Sequence, residues 1–171
     1  MLPSILILAA VTLQRLYELW LSERHTRALL ARGGFEAGRG HYPTIVALHA
    51  AWLGAIWLLG WDKPVSWPWL TVFAVLQLLR IWVMRALGER WTTRIVVLPG
   101  APLVTRGPYR FTRHPNYWVV AAETAVLPLA FALPEVAVAF TVLNALVLLV
   151  RMRAEEAALE PTETSLPGGE G

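Results

Sequence analysis

One short stretch of this chain, RGPYRFTRHPNYW at 106–118, gathers side chains that are suited to binding a polar ligand. It combines three arginines, a histidine and two tyrosines with two prolines. Gly107-Pro108 predicts a turn, and His114-Pro115 is typical of a helix start, where proline fits the first turn. The free N–H groups and the positive dipole end of such a helix favour an anionic or carbonyl-bearing group. The residues alone leave two readings open, a polar-ligand site and a basic loop that starts a helix.

Four charged side chains lie within otherwise apolar segments: Arg15, Glu18, Arg80 and Glu123. Ionisable residues are costly in a bilayer and often mark function. Arg15 and Glu18 are three residues apart, so they share a helix face and are able to pair. A polar cavity is one interpretation. Arginines that extend to the headgroups, with carboxylates paired locally, are the other.

Histidines supply a second set of candidates. His41 and His49 are eight residues apart in one apolar segment, and His49 is a candidate base or a packing residue. The four histidines are dispersed and cysteine is absent. We therefore expect no metal site, and disulfides and thiolate catalysis are excluded.

The elements that must position these residues are membrane helices. Of the 171 residues, 56% are hydrophobic and 16% are charged, against about 25% charged in soluble domains, and the mean hydropathy is +0.50. The sequence predicts an all-α integral membrane bundle of about five transmembrane helices. We expect a single domain at 1–159 and a disordered tail at 160–171, which is rich in proline, glycine and acidic residues. The predicted helices are 2–21, 43–60, 67–87, 117–133 and 134–150.

The basic residues give the predicted orientation. Arginines are concentrated at 22–42, 88–116 and 151–153, whereas Lys63 stands alone on the other side. By the positive-inside rule, the N-terminus lies outside and the C-terminus and both long loops are cytosolic. The expected location is a bacterial inner membrane. The expected partners are the bilayer and a lipophilic small molecule, with no nucleic acid.

Two motifs, GPYRFTRHPNY (107–117) and RMRAEEAAL (151–159), resemble the signature of the isoprenylcysteine carboxyl methyltransferase family. The likeness covers 98–159. It implies a membrane enzyme that uses S-adenosylmethionine, with its active site facing the cytosol. It also implies that Arg151 lies beside the reacting group. The residues that it assigns to cofactor binding are Ala101, Pro102, Leu103, Val104, Tyr109, His114, Pro115, Asn116, Tyr117 and Glu155.

The N-terminal part resembles a short bacterial branch of that family. Some of its members are encoded beside type III polyketide synthases and O-methylate alkylpyrones or phenolic lipids. The resemblance therefore implies an alkylpyrone or phenolic lipid as acceptor. A phenol or enol must lose a proton before it attacks, and His49, Glu123 and Glu18 are the candidate bases. With Arg151 to stabilise the anion, the catalytic candidates are Arg151, His49 and Glu123. A prenylcysteine carboxylate and a phospholipid amine are alternative acceptors. A small transporter and a structural subunit are alternatives outside the enzyme class.

Overall fold

The computed structural model describes residues 1–164. They fold into five helices, one small sheet and the segments that connect them. The helices are α1 (Leu2–Ala31), α2 (Tyr42–Gly60), α3 (Trp67–Leu87), α4 (Pro115–Ala130) and α5 (Pro134–Thr164). The strands are β1 (Phe35–Ala37) and β2 (Ile95–Val97), and short 3-10 turns occupy Arg39–His41, Gly88–Arg90 and Gly107–Arg110. The predicted all-α class is confirmed.

Proline marks the start of every helix. It is the first or second residue of α1, α2, α3 and α4, and α5 begins at Pro134. At these positions the missing N–H would have no partner within the helix, and the fixed φ suits helical geometry. The start of each helix is therefore encoded locally.

Two helices extend beyond the apolar segments. α1 continues to Ala31, where 2–21 was predicted, and α5 continues through the predicted end at 150 to Thr164. The basic and acidic motif at 151–159 therefore lies on α5 itself. The helix also takes in the first residues of the predicted disordered tail. The rest of that tail, 165–171, lies outside the described residues.

α4 is shorter than the predicted segment 117–133. It has 16 residues, or about 24 Å at 1.5 Å per residue, against a hydrocarbon core of about 30 Å. Pro128 lies inside the helix near its end, and Ala132 has a φ of 54°. Pro128 weakens the hydrogen bonding of the last turn, and the left-handed conformation of Ala132 prevents the helix from continuing. The chain then reverses into α5.

Four helical segments of residues 1–164 are long and apolar enough to cross a membrane: Leu2–Ala31, Arg39–Gly60, Trp67–Arg90 and Pro134–Leu159. The protein is thus an integral multi-pass membrane protein. α4 runs antiparallel to α3, because the Ser66 N–H donates to the Ala130 carbonyl at 2.8 Å and so joins the start of α3 to the end of α4.

The apolar core lies at the end of the bundle where α2 ends and α4 turns into α5. Trp52 and Ile56 of α2, Phe73 of α3 and Phe131 pack there with Leu8 of α1. Packing of this kind and interhelical hydrogen bonds hold helices together in a bilayer, because lipid tails are as apolar as the side chains. The Trp52 indole N–H, for example, donates to the Thr124 carbonyl at 3.1 Å. The other end of the bundle is left for polar groups.

The sheet closes that other end, which we call the loop side. β1 and β2 are antiparallel, with Phe35 opposite Val97 and Ala37 opposite Ile95. They join the loop after α1 to the loop after α3. Arg94 reinforces the link through its ion pair with Glu36 at 3.1 Å.

Candidate functional site

Two cavities adjoin at the loop side of the bundle. The first, which we call the membrane cavity, has a volume of about 240 Å³ and lies between α1, α2, α4 and α5. Its walls are mainly apolar, and its polar groups include Arg15, His49, Glu123, Asn116 and Arg151. The membrane cavity therefore offers a few polar groups within an apolar space, which is typical of small-molecule sites.

The second cavity, which we call the loop-side cavity, has a volume of about 780 Å³. It lies between β2, the segment 98–105, the turn at Gly107–Arg110 and the loop-side part of α5. Residues 95–98, Tyr109 and Glu155 line it, together with Arg90, Arg94 and Arg113. Acceptors, donors and a ring surface in one space suit a polar cofactor.

Gly107 allows the loop to pack against α3. Its φ is +61°, a conformation that other L-residues rarely adopt. A Cβ at this position would lie 3.1 Å from the Cβ of Ala86. The adjacent Arg106 Nε donates to the Ala86 carbonyl at 3.3 Å. The glycine of the motif is therefore explained by backbone conformation and close approach.

A chain of hydrogen bonds separates the two cavities. The Tyr117 hydroxyl donates to Glu155 Oε2 at 2.5 Å and accepts from Arg151 Nε at 2.9 Å. Tyr117 and Arg151 line the membrane cavity, whereas Glu155 lines the loop-side cavity. Arg151 and Glu155 are one helical turn apart on α5, which is why they share a face. The wall between the cavities is thus made of ionisable side chains.

His114 completes this wall on the loop side. Its ring stacks on that of Tyr117, with centroids 5.3 Å apart and planes at 10°. Its Nδ1 lies 3.4 Å from Glu155 Oε2, and its Nε2 lies 3.2 Å from Glu156 Oε1. The hydrogen bond to Glu155 raises the pKa of the His114 imidazole above its ordinary value, against the opposing effect of burial. Burial also raises the pKa of the Tyr109 phenol above its ordinary value.

Arg151 is fixed at two of its three guanidinium nitrogens. Nε donates to Tyr117, and Nη1 donates to the Thr93 carbonyl at 2.6 Å. Within residues 1–159, Nη2 has no hydrogen-bond partner, although Arg151 is only 7% exposed and lines the membrane cavity. Nη2 is therefore available to an oxygen of a molecule in that cavity.

The four intramembrane charges form one closed network. Arg80 donates to Glu18 through Nε at 2.7 Å and Nη2 at 2.6 Å, and to Glu123 through Nη1 at 3.0 Å. Arg15 donates to both carboxylates, at 3.0 Å each. The pair of Arg15 and Glu18 agrees with their i,i+3 spacing. Two positive and two negative groups leave the network neutral, which limits the penalty of burying them.

Two glutamines complete the network. Gln77 Nε2 donates to Glu123 Oε1 at 2.8 Å, and Gln14 Nε2 donates to both Glu18 Oε1 and Gln77 Oε1, at 3.0 Å and 2.7 Å. Both oxygens of Glu123 are therefore occupied by donors. Such a carboxylate orients arginines and is poorly suited to accept a proton from a substrate.

His49 has a different environment. Its Nδ1 lies 2.9 Å from the Ile45 carbonyl, one turn earlier in α2. A carbonyl accepts only, so Nδ1 carries a proton and Nε2 holds the lone pair in the neutral ring. His49 lines the membrane cavity. It therefore brings a potential proton acceptor to that space.

The residues that the family resemblance assigned to the cofactor separate into three groups. Six line the loop-side cavity: Ala101, Leu103, Val104, Tyr109, His114 and Glu155. Asn116 and Tyr117 line the membrane cavity instead. Pro102 accepts a hydrogen bond from Arg90 through its carbonyl, and Pro115 is buried at the first position of α4. The three catalytic candidates, Arg151, His49 and Glu123, all line the membrane cavity.

Sequence reasoning missed a polar cluster around Thr93. Its hydroxyl lies 2.7 Å from Ser22 Oγ and 3.1 Å from the Tyr42 hydroxyl. Nearby, His25 Nδ1 lies 2.8 Å from the Trp91 carbonyl. These contacts join α1 and α2 to the segment between α3 and β2. Serine and threonine in isolation carry no signal of such long-range pairing.

The chain is similar to a known family and to two bacterial proteins. The profile of the isoprenylcysteine carboxyl methyltransferase family matches residues 69–161. The uncharacterised protein YpbQ of Bacillus subtilis is 37% identical over 161 residues, which cover 91% of this chain and 95% of that protein. An uncharacterised protein of Haemophilus influenzae is 27% identical over 159 residues, which cover 88% and 91% of the two chains. No solved structure matches the chain.

Proposed function

The chain belongs to the isoprenylcysteine carboxyl methyltransferase family, and from that premise we propose that it transfers a methyl group from S-adenosylmethionine to an oxygen of a lipophilic acceptor. The proposed acceptor is an alkylpyrone or a phenolic lipid. The observation that carries this proposal is the contact between the two cavities at Tyr117, Arg151 and Glu155. A water-soluble cofactor in one cavity and a lipid in the other would meet at that junction, where the methyl group must touch the acceptor oxygen.

The loop-side cavity fits S-adenosylmethionine by its donor set. Its volume of about 780 Å³ is within the range of ligand sites, roughly 300–1,000 Å³. Glu155 is suited to accept hydrogen bonds from an ammonium group or ribose hydroxyls, and Arg113 is suited to a carboxylate. Tyr109 offers a neutral ring and hydroxyl. The bound cofactor supplies an electrophilic methyl group.

The membrane cavity suits the polar head of a lipid. Leu16, Leu19 and Val46 line it and are exposed by 57%, 39% and 36%. They belong to α1 and α2, so the seam between these helices leads from the lipid to the cavity. An alkyl tail in that seam would leave the head beside Arg151. This arrangement favours an amphipathic acceptor over a water-soluble one.

The side chains of the membrane cavity support O-methylation. A phenol or enol must lose a proton before it attacks a methyl group, and His49 Nε2 is the proposed acceptor of that proton. Arg151 Nη2 is proposed to stabilise the resulting oxygen anion. Glu123 is proposed to hold Arg15 and Arg80, since both of its oxygens are occupied. Alignment of the acceptor oxygen with the methyl group, and exclusion of water, are proposed to supply most of the rest of the rate acceleration.

Two other acceptors are consistent with the family. A prenylcysteine carboxylate is already anionic, needs no base and would pair with Arg151. In a phospholipid amine the attacking atom is a nitrogen that gains positive charge during the transfer, so the Arg151 cation would not stabilise it. The sequence likeness of the N-terminal half to the short bacterial branch favours the alkylpyrone or phenolic lipid, and a type III polyketide synthase is then the proposed source of the acceptor.

The non-enzymatic alternatives explain less. A transporter would use Arg15, Glu18, Arg80 and Glu123 to line a path, but these side chains are bonded to one another in a neutral network. A structural subunit would not need two adjoining cavities. We propose that the protein lies in a bacterial inner membrane with the loop-side cavity facing the cytosol, in accord with the arginines of its loops.

Calorimetry with S-adenosylhomocysteine on the detergent-purified full chain tests the proposal. We expect binding to the wild type, and binding at least about 10-fold weaker after Glu155→Ala or His114→Ala, because each loses a charged partner of the ligand or of the wall. Glu135→Ala is the matched control, because Glu135 is an exposed glutamate at the far end of α5. Transfer of labelled methyl to an alkylpyrone, a phenolic lipid, a prenylcysteine and a phospholipid then identifies the acceptor. A folded, monodisperse wild type that binds no S-adenosylhomocysteine would refute the proposal.

A further inference from the structure

We propose that Thr93 is a positioning residue that aims Arg151 into the membrane cavity through its backbone carbonyl, and that Ser22 and Tyr42 hold Thr93 in place. The inference rests on the proposed methyl transfer, because it assigns the arginine a task there. The orientation of the Arg151 guanidinium group by Thr93, a residue of a distant loop, is argued from the contacts alone and does not depend on the reaction. Thr93 lies outside both sequence motifs.

An arginine side chain needs more than one contact to hold a fixed direction. Its many rotamers cost up to about 2 kcal/mol to order. Arg151 Nε is bonded to Tyr117 at 2.9 Å, and Nη1 is bonded to the Thr93 carbonyl at 2.6 Å. Because the guanidinium group is planar and rigid, two fixed nitrogens set the direction of the third. The Thr93 carbonyl therefore decides where Nη2 points.

The carbonyl is itself fixed by α1. Ser22 Oγ accepts a hydrogen bond from the Thr93 N–H at 2.8 Å and exchanges another with Thr93 Oγ1 at 2.7 Å. Ser22 is 2% exposed, so these bonds do not compete with water. One serine hydroxyl thus holds both the backbone N–H and the side chain of Thr93, the residue whose carbonyl accepts from Arg151.

α2 and a neighbouring residue add further restraints. The Tyr42 hydroxyl lies 3.1 Å from Thr93 Oγ1, and His25 Nδ1 lies 2.8 Å from the Trp91 carbonyl two residues earlier. Thr93, Tyr42 and Arg151 all line the membrane cavity. The helices whose seam would admit the acceptor therefore also orient the arginine that would bind it.

Steady-state kinetics of Ser22→Ala and Thr93→Val test the positioning role. Each removes hydroxyl contacts of the cluster and leaves Arg151 in place. We expect kcat for the acceptor to fall between about 10- and 100-fold, the range expected for small misplacements. The KM for S-adenosylmethionine should change less than kcat does, because its proposed cavity lies beyond Tyr117 and is reached only through Glu155.

Three further variants separate positioning from general damage. Thr93→Ser restores the hydroxyl and should recover most of kcat. Thr26→Val is the matched control: Thr26 lies one turn after Ser22 on α1, is buried, and its hydroxyl has no partner in the described part of the chain. It should keep wild-type kinetics. In an Arg151→Lys background, Ser22→Ala should add no further loss, because residues that act through one another are non-additive.

A readout that needs no catalysis comes from the side-chain Nε–H resonance of Arg151 in ¹⁵N-labelled protein, identified by its disappearance in Arg151→Lys. It should be sharp and slow to exchange in the wild type, Thr26→Val and Thr93→Ser. It should broaden in Ser22→Ala and Thr93→Val.

The two readouts distinguish failure of this inference from failure of the proposed function. An unchanged resonance and unchanged kcat in both Ser22→Ala and Thr93→Val would overturn the positioning role, even in an active enzyme. If Ser22→Ala does not fold, the resonance and kcat of Thr93→Val, compared with those of Thr93→Ser, test the positioning role in the same way. If the wild type transfers no methyl group, the proposed reaction fails, and the resonance alone decides whether Thr93 orients Arg151.

Discussion

At the residue scale, the hydroxyl of Tyr117 connects the two cavities because it both donates and accepts. It donates to Glu155 and accepts from Arg151, so a change on one side of the wall is felt on the other. The stacked His114 ring lies on the same side of the wall as Glu155. Binding of a cofactor that takes up the Glu155 carboxylate would therefore alter the environment of Arg151.

His114 gives this wall a pH dependence whose sign follows from its raised pKa. Protonated His114 is stabilised by Glu155 in the folded protein, so its contribution is complete below the ordinary pKa of 6.5 and is lost as pH rises through the raised value. We expect the wild type to melt at a higher temperature than His114→Gln below about pH 6.5. The difference should shrink as pH increases. Thermal unfolding in detergent across this range measures it, and a difference that grows with pH would contradict the ion pair.

Residues inside the two motifs could be assigned to a candidate site from the sequence, whereas residues outside them could not. His114, Tyr109 and Glu155 could be assigned because their types and order match a known pattern, and the structure brings them to one cavity. Ser22 and Thr93 could not be assigned. They are 71 positions apart, and common hydroxyl residues have no spacing rule that predicts such a contact.

At the scale of elements, α1 is attached to the bundle by polar contacts along its length. Ser4 Oγ donates to the Lys63 carbonyl at 2.6 Å, and Thr12 Oγ1 accepts from the Trp57 indole at 3.0 Å. Further along lie the network of Arg15 and Glu18 and finally Ser22. In a bilayer such bonds have no water to compete with them, so they are able to set the register of a helix.

Removal of Arg80 should release much of this attachment. Arg80 is bonded to Glu18 on α1 and Glu123 on α4, so Arg80→Met leaves two buried carboxylates with Arg15 as their one cationic partner in the network. Breaking a buried ion network in this way costs about 3–5 kcal/mol. Unfolding by dodecyl sulfate in mixed micelles measures the loss. Arg27→Met is the control, because the Arg27–Glu23 pair is exposed and should contribute at most about 1 kcal/mol. Equal, small losses in both variants would mean that the network does not hold α1.

The elements themselves show why prediction succeeded for helices and failed for the sheet. Long apolar segments with proline at their starts specify helices locally. β1 and β2 have three residues each and pair across the two long loops, so neither shows an alternating pattern. The early end of α4 was also missed, because Pro128 and the left-handed Ala132 lie within an apolar segment whose hydropathy continues to Leu133.

At the scale of the whole molecule, charge separates the two ends of the bundle. Arginines occur in the loops that carry the sheet and the loop-side cavity, whereas the turn between α2 and α3 has Asp62 and Lys63. Three exposed indoles, Trp61, Trp67 and Trp69, lie at that turn, as expected at a membrane interface. The two ends are therefore chemically distinct, and orientation in the membrane decides which compartment reaches the cofactor cavity.

Single-cysteine labelling tests that orientation directly, because the chain has no cysteine of its own. Asp62→Cys and Glu89→Cys replace exposed acidic residues at opposite ends of the bundle. In spheroplasts, a membrane-impermeant maleimide should label Asp62→Cys at once and Glu89→Cys only after permeabilisation. Labelling of Glu89→Cys from outside would reverse the orientation. It would also place the loop-side cavity away from a cofactor that is made in the cytosol, and so would count against the proposed reaction as well as the topology.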